Sequence, residues 1–383
     1  MEFDFLRPLD NSIIEFVKSL TSQNLGSKVV LHSETDFPDL DKIQIAIIGV
    51  LENRGDSNAI AEVDLTSIRK ELYSLYPGNW QSSIADLGDI TAGEELSDTY
   101  FALKSVVASL IKKKIVPIII GGSQDLTYAM YRSYDFLEQM VNLVSIDSKF
   151  DLGKENSTDM VSSYLTRMII EEPNNLFNYS VIGYQTYYNA QEEIDLMEKL
   201  FFEGIRLGEI SHDIKISEPI FRDADIVSVD LTSIQSSNSG NYITFTPNGL
   251  NGKEICSLSR YAGLSDKVSL FGIFNHNNSK QEANLIAQII WYFIEGYHFR
   301  SNEYPYSSKD NYIKYIVPLE HEELVFYKSD QTERWWIEVS LMMHSDTKTK
   351  RNTLLPCSFE DYLGAINQEI PERWWKAQRK SLI

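Results

Sequence analysis

The chain has 383 residues, of which 43% are hydrophobic and 23% are charged, a composition typical of a globular protein with a large core. Acidic residues outnumber basic ones by 55 to 35, and the net charge of −20 excludes nucleic acid as a partner. The two cysteines, Cys256 and Cys357, lack the spacing of a zinc motif. The N-terminus is acidic and no stretch reaches transmembrane length, which predicts a cytoplasmic protein without membrane insertion.

The chain alternates between strand patterns and helix patterns up to about residue 300. Residues 1–42 are expected to form an N-terminal helix and connector. Short apolar runs typical of strands buried on both faces follow at 43–50, 115–120, 141–146, 224–229 and 268–274. Helical periodicity is found at 97–113, 194–202 and 281–297. This order predicts an α/β fold in residues 43–300, a three-layer α/β/α domain with a mainly parallel, doubly wound sheet.

The organisation changes in residues 301–383, where the tetrapeptide Glu-Arg-Trp-Trp occurs twice and the strand–helix alternation stops. This segment is expected to be a Trp-rich C-terminal extension that packs on the main domain, because most Trp side chains serve as packing anchors. The alternative is a docking surface, since Trp and Arg are enriched at interaction hot spots. That surface would consist of Arg334, Trp335, Trp336, Arg373, Trp374 and Trp375.

Polar residues follow four of the expected strands, at the point where each strand ends. In an open α/β sheet the chemistry takes place outside the carboxyl ends of the strands, so these residues are the candidates for a site. They are Gly121-Gly122-Ser123-Gln124-Asp125, Asp147-Ser148-Lys149-Phe150-Asp151, Ser228-Val229-Asp230-Leu231-Thr232 and Asn275.

In this order and at these separations, the four segments resemble those of the arginase (ureohydrolase) family, which includes arginase, agmatinase and, most similar here, formimidoylglutamase. The resemblance covers roughly residues 43–300 and implies the family's α/β/α fold with a mainly parallel sheet of about eight strands. Weaker matching pieces are Asn53-Arg54-Gly55, Ser67-Ile68-Arg69, Asp86-Leu87-Gly88-Asp89-Ile90 and Thr246-Pro247-Asn248-Gly249-Leu250.

The family's enzymes bind two manganese ions through GGDH, DAHxD and SxDxD motifs, and the ions activate a water molecule. This chain has GGSQ, DSKFD and SVDLT at those places. Gln124 and Lys149 therefore stand at two His positions, and Thr232 stands at a carboxylate position. The retained carboxylates are Asp147, Asp151 and Asp230. The resemblance thus indicates a degenerate former metal site.

The catalytic groups beyond the metal ligands also differ from the family's pattern. The family's acidic residue at the end of the last strand aligns with Asn275, and no His lies between residues 150 and 211, where arginases carry a proton-shuttling His. The expectation from these substitutions is a site with no catalytic residue, no metal and no cofactor.

Lys149 is expected to replace the lost metal. Residues 147, 149 and 151 alternate, so their side chains would share one face of an extended segment. A cation within about 4 Å of a carboxylate contributes roughly 4 kcal/mol at an effective dielectric near 20. We therefore expect the Lys149 ammonium to form an ion pair with at least one of the three carboxylates, and Lys149→Ala to destabilise the protein.

A residual single-metal site is the alternative. Asp147, Asp151 and Asp230 could hold one magnesium or calcium ion, with Gln124 and Thr232 as weak oxygen ligands. A cofactor such as manganese would then be retained.

Three functions are compatible with these patterns. The first is a non-catalytic pseudoenzyme that acts as a protein-binding or scaffold module. The second is a live metal-dependent hydrolase of linear amidines, of the formimidoylglutamase or agmatinase type, with an atypical site. The third is a small-ligand sensor in which Lys149 binds an anionic group. The first is the leading expectation because Gln124, Lys149 and Thr232 all depart from the metal-binding pattern.

A protein partner is expected, and a homo-oligomer is possible because symmetric oligomers are common. The extension resembles a branch of the arginase family from Bacteroidota. That resemblance adds the gliding and type IX secretion machinery as one expectation about the partner, which no residue of the chain indicates by itself.

Overall fold

The computed structural model describes residues 3–57, 59, 62–79, 81–137, 140–154, 159–242, 245–303, 305, 309–320, 322–342 and 350–380. Within these residues, no helix is both long and apolar enough to cross a membrane.

Strands and helices alternate through the first three quarters of the chain. The strands are β1 (Leu6–Arg7), β2 (Val30–Leu31), β3 (Ile45–Leu51), β4 (Ile84–Thr91), β5 (Val116–Gly121), β6 (Val141–Ile146), β7 (Leu176–Tyr184), β8 (Glu203–Arg206), β9 (Ile226–Asp230), β10 (Leu270–Phe274), β11 (Tyr312–Pro318), β12 (Glu323–Ser329), β13 (Trp335–Met342) and β14 (Lys350–Cys357). The helices are α1 (Asn11–Ser19), α2 (Thr66–Ser74), α3 (Leu96–Lys112), α4 (Leu126–Arg132), α5 (Tyr164–Ile170), α6 (Gln191–Lys199), α7 (Leu207–His212), α8 (Glu218–Asp223), α9 (Ser236–Ser239), α10 (Gly252–Leu264), α11 (Lys280–His298), α12 (Phe359–Ile366) and α13 (Glu372–Lys380).

The main sheet has ten strands in the order β1-β4-β3-β5-β10-β9-β6-β7-β8, with β2 paired to β4. All of its pairings are parallel except that of β1 with β4. The predicted α/β fold with a mainly parallel sheet is therefore confirmed. The eight strands β3 to β10 match the count that the family resemblance implied, and the two short strands come from the first 42 residues.

The central strands are buried on both faces, which is why their sequences read as continuous apolar runs. In β5, Ile118 and Ile120 belong to the hydrophobic cluster that includes α10 and α11. Ile119 belongs to the opposite cluster, with α3 and α4. The period-two alternation of a strand thus sends neighbouring residues into different layers.

Helix α6 begins and ends three residues before the predicted segment, because Phe201 takes the left-handed conformation (φ 54°) ahead of β8.

A second sheet of four antiparallel strands, in the order β11-β12-β13-β14, follows α11. It packs where the parallel strands begin. The buried Arg222 of α8 donates hydrogen bonds to the carbonyl oxygens of Trp335 (3.1 Å) and Cys357 (2.8 Å). Arg373 of α13 pairs with Glu203, the first residue of β8, at 2.8 Å. The extension therefore covers the amino edge of the main sheet. The division of the chain into three segments, with boundaries at residues 42 and 300, stays a prediction.

The two Glu-Arg-Trp-Trp segments adopt different structures, since the first enters β13 and the second opens α13. Trp335, Trp336 and Trp374 are buried, and Trp375 alone of the four is exposed, at 40%. The other two residues of the expected docking surface are engaged within the chain: Arg334 donates to Ser301, and Arg373 pairs with Glu203. These contacts are those of packing anchors, and docking through this surface stays a prediction.

Candidate functional site

Four neighbouring strands deliver the predicted site residues to the carboxyl edge of the main sheet. The strands β5, β10, β9 and β6 are adjacent in that order, and each ends beside its neighbour. Gly122 allows the chain to turn at the end of β5, since a Cβ at this position would lie 1.9 Å from the Glu52 carbonyl oxygen. The structure therefore places Gln124 after β5, Asn275 after β10, Asp230 at the end of β9 and Asp147 after β6.

Hydrogen bonds join these strand ends into one network. Gln124 Nε2 donates to Asp147 Oδ2 at 2.8 Å, and the Gln124 backbone N–H donates to Asn275 Oδ1 at 3.1 Å. Asn275 Nδ2 in turn donates to Asp230 Oδ1 at 3.0 Å. Thr232 donates to both oxygens of Asp230, through its N–H at 2.8 Å and its hydroxyl at 2.5 Å. The residues that replace the family's ligands and acid thus orient two of the three retained carboxylates, Asp147 and Asp230.

Three buried carboxylates converge at this edge. Asp147, Asp151 and Asp230 are 1%, 6% and 5% exposed. Burial, followed by the nearby Asp230 charge, raises the pKa of Asp147 to about 7. Burial and the charges of Asp147 and Asp230 raise the pKa of Asp151 well above its ordinary value. Burial also raises the pKa of Asp230, against the hydrogen bonds from Thr232. Such a cluster is stable only with protons or cations to offset its charge.

Lys149 does not provide that cation as predicted. Its side chain is exposed, and the described residues contain no ion pair between Lys149 and any of the three carboxylates. Only its backbone N–H reaches the cluster, donating to Asp147 Oδ1 at 2.9 Å. The expectation of a metal surrogate was wrong because the chain turns here: Asp151 is left-handed (φ 55°), so the segment is not extended.

This geometry reverses the expected effect of Lys149→Ala. An exposed side chain without an ion pair contributes little, so we expect the free energy of unfolding to change by less than about 0.5 kcal/mol. The Lys149 charge nevertheless lowers the pKa of Asp147, Asp151 and Asp230 from a distance. Removing it should therefore strengthen divalent-cation binding about fivefold, which corresponds to about 1 kcal/mol of Coulomb energy. Calorimetric titration with Mn²⁺ measures the change in binding. A loss of more than about 2 kcal/mol in the free energy of unfolding would contradict the prediction on stability.

The donors at this edge fit one oxygen-ligated cation better than the family's metal pair. Among the described residues, the buried Gln124 Oε1 and Asp151 Oδ2 have no hydrogen-bond partner, so two acceptor oxygens are available beside Asp147 and Asp230. Carboxylate and amide oxygens suit hard divalent cations. A preformed cluster of three His, Cys, Asp or Glu ligands is absent from the described ranges. A cation would therefore need the Gln124–Asp147 hydrogen bond to open, and the residues do not fit two ions.

One buried carboxylate near the site was not predicted from the sequence. Glu282, in the first turn of α11, is fully buried, and its Oε1 has no hydrogen-bond partner within the part of the chain that the structure describes. Its Oε2 accepts from the Asn277 backbone N–H at 2.5 Å, which fixes the loop that carries Asn275. Burial raises the pKa of Glu282 to about 7, and the Asp230 charge adds to this effect. In the sequence Glu282 is indistinguishable from an ordinary capping residue three positions after Ser279.

Known relatives of the chain are formimidoylglutamases. The protein of this name from Staphylococcus aureus (strain MSSA476) is 24% identical over 301 residues, covering 69% of this chain and 96% of the relative. The formimidoylglutamase of Staphylococcus carnosus (strain TM300) is 24% identical over 213 residues, covering 53% of this chain and 68% of the relative.

Solved structures show the same fold. Trypanosoma cruzi formiminoglutamase, solved with Mn²⁺, superposes with a TM-score of 0.62 at 19% identity, covering 69% of this chain and all (100%) of that one. The formimidoylglutamase of Bacillus subtilis superposes with a TM-score of 0.61 at 16% identity, covering 70% of this chain and 91% of that one.

Two expectations are corrected by these comparisons. The non-catalytic scaffold is contradicted, because the relatives and solved structures described above carry the name of an enzyme, formimidoylglutamase. The absence of a cofactor is contradicted as well, because a structural neighbour was solved with Mn²⁺. Both corrections have one cause: the substitutions at residues 124, 149 and 232 remove the family's ligand types but leave oxygen donors at the site.

The family itself is shown by a family model. The model of the arginase family matches residues 44–292, which is more than half of the chain and includes every strand end of the site. This chain belongs to the arginase family.

Proposed function

We propose that this protein is a cation-dependent hydrolase of linear amidines, with chemistry of the formimidoylglutamase type and an atypical site. The observation that carries the proposal is that three buried carboxylates, Asp147, Asp151 and Asp230, lie near enough for their charges to raise one another's pKa, beside Gln124 Oε1, which has no hydrogen-bond partner among the described residues. Leaving charged and polar groups buried without compensation costs several kcal/mol, by order of magnitude. A bound divalent cation would offset this cost at the place where the family performs its chemistry.

The reaction breaks one C–N bond. Water adds its oxygen to the amidine carbon, the bond from that carbon to the substituted nitrogen breaks, and the departing nitrogen takes up a proton. For a formimino compound the products are a primary amine and formamide. A divalent cation bound at this site supplies the acidified water that such hydrolysis requires.

The chain's own residues hold and orient the reacting groups. Asp147, Asp151 and Asp230 would hold the cation, with the amide oxygen of Gln124 as a further donor. Thr232 and Asn275 orient Asp230 by their hydrogen bonds. Such partners of ligating carboxylates typically contribute 10–100-fold to affinity or activity.

The test is a hydrolysis assay on purified protein with N-formimino-L-glutamate and other linear amidines, with and without added Mn²⁺. We expect release of primary amine that depends on the cation, and loss of that release to background in Asp230→Asn. The matched control is Asp266→Asn, which alters an aspartate at the opposite, amino edge of the sheet. Absence of hydrolysis for every amidine in the presence of Mn²⁺ would refute the proposal.

A protein partner, a homo-oligomer and a cytoplasmic location stay predictions.

A further inference from the structure

Four aromatic side chains are exposed at the same edge of the sheet as the carboxylates. Tyr187 and Tyr188 lie in the loop after β7, and Tyr242 and Phe245 lie in the loop between α9 and α10, which follow β9. Their exposed fractions are 66%, 43%, 65% and 63%. The rings are paired within each loop, with centroids 4.7 Å apart for Tyr187 and Tyr188 and 6.4 Å apart for Tyr242 and Phe245. We call these four residues the aromatic rim.

The first loop is fastened to the segment that carries the β6 carboxylates. The Gln185 N–H donates to the Ser148 carbonyl oxygen at 3.0 Å, and Asn189 Nδ2 donates to the same oxygen at 3.1 Å. The Phe150 N–H donates back to Asn189 Oδ1 at 2.8 Å. Tyr187 and Tyr188 are therefore held beside residues 147–151.

The second loop connects the other side of the site to the first. Thr246, next to Phe245, donates through its hydroxyl to the Thr232 carbonyl oxygen at 3.1 Å. Asn248 Nδ2 donates to Gln185 Oε1 at 3.2 Å and to the Tyr187 hydroxyl at 3.0 Å. Since β6 lies between β9 and β7 in the sheet, the joined loops flank the end of β6 on both sides.

The composition of the two loops favours one kind of substrate. Residues 185–190 and 241–250 contain no Asp, Glu, Lys or Arg, so the loops supply no charge to pair with a carboxylated substrate. Exposed aromatic faces instead bind apolar groups and planar cations, and exposed patches of this kind mark ligand sites. The net charge of −20 also attracts cations to the molecule.

We infer that the aromatic rim binds the body of the substrate, and that this body is aromatic or aliphatic, attached to a cationic amidine. This inference rests on the proposed function, because it names the substrate class of the same site. It departs from an amino-acid substrate with two carboxylates, for which the two loops offer no basic group and the exposed Lys149 beside them is a single cation. Two contacts of a substrate ring with aromatic side chains should strengthen binding at least about fivefold and typically tenfold or more.

The test compares two probes that share the amidinium group. Benzamidine has an aromatic body and acetamidine has a methyl group, and ligand-observed NMR or calorimetry gives the dissociation constant of each with the full chain. We expect benzamidine to bind about tenfold more tightly than acetamidine. In the double variant Tyr187→Ala/Phe245→Ala this preference should disappear, with acetamidine binding unchanged.

Two further variants separate the ring contacts from other effects. Tyr187→Phe keeps the ring but loses the hydrogen bond from Asn248, and it should retain the benzamidine preference. Tyr76→Ala removes an equally exposed ring, at 63%, that follows α2, and it should bind like the wild type. Melting temperatures of all variants verify that the fold is kept.

The outcomes also separate this inference from the proposed function. Equal affinity for the two probes, or an unchanged preference in the double variant, would overturn the inference even if small amidines are hydrolysed. A preference for benzamidine that the double variant abolishes supports it, and does so even if no amidine is hydrolysed and the proposed function fails.

Discussion

Arg69→Met is expected to lower the free energy of unfolding by about 3–5 kcal/mol. Arg69 of α2 is 3% exposed and pairs with two carboxylates of β4, Asp86 at 2.8 Å and Asp89 at 2.7 Å. Asp86 is fully buried and also accepts the hydroxyl of Tyr73. Removing the guanidinium leaves at least one buried carboxylate without its cation, and this unpaired charge causes most of the loss. Urea unfolding followed by far-UV circular dichroism measures it.

Two controls define the origin of this effect. Lys18→Met breaks the exposed pair with Glu15, whose side chains are 66% and 70% accessible, and should change stability by less than about 1 kcal/mol. Adding Asp86→Asn to Arg69→Met should recover part of the loss, because it removes the orphaned charge. A loss below about 1 kcal/mol in Arg69→Met would show that the ion pair is not what stabilises α2 on the sheet.

Glu282→Gln is expected to stabilise the protein at pH 8 by about 3 kcal/mol, because each unit of pKa shift corresponds to about 1.4 kcal/mol. Burial raises the pKa of Glu282 to about 7 from 4.5, so between these values the folded state holds a proton that the unfolded state has lost. The stability of the wild type should accordingly fall as the pH rises from about 4.5 to about 7 and then level off. The glutamine side chain does not titrate, and its amide oxygen can still accept from the Asn277 N–H.

The measurement is the difference in unfolding free energy between Glu282→Gln and wild type at pH 5 and pH 8, with divalent cations chelated. Glu254→Gln is the matched control, because Glu254 accepts from the Asn251 N–H at 2.8 Å in the first turn of α10 but is only half-buried. The control should show no comparable gain at pH 8. A Glu282→Gln difference that is the same at both pH values would contradict the assignment of a buried, protonated carboxyl.

The fold was largely predictable because buried parallel strands have an unmistakable composition. The runs around β3, β5 and β6 were located to within about two residues, which is the usual uncertainty of element ends. The strands β7 and β8 were not identified. Residues 176–184 contain Asn178 and Ser180, which are buried and hydrogen-bonded to each other at 3.2 Å, so the segment lacks a continuous apolar run.

The sequence located four of the strand-end residues at one edge of the sheet, but it did not reveal their contacts, the direction of Lys149 or the presence of Glu282. Strand ends could be assigned from the sequence, which brought Gln124, Asp147, Asp230 and Asn275 to one edge. The direction of the Lys149 side chain depended on the left-handed turn at Asp151, a conformation that a non-glycine sequence does not reveal. The burial of Glu282 depended on how α11 packs, which no local pattern encodes.

The contact between the C-terminal extension and the main domain has a consequence for how the molecule unfolds. Arg222 is buried and directs two of its donors to backbone carbonyl oxygens of the extension, and Glu203 at the start of β8 is satisfied by Arg373. A chain cut near residue 300 would leave both charges at a bare sheet edge. We therefore expect the extension and the main domain to unfold in one cooperative transition, so that the carboxyl edge of the sheet depends for its stability on residues at the opposite end of the molecule.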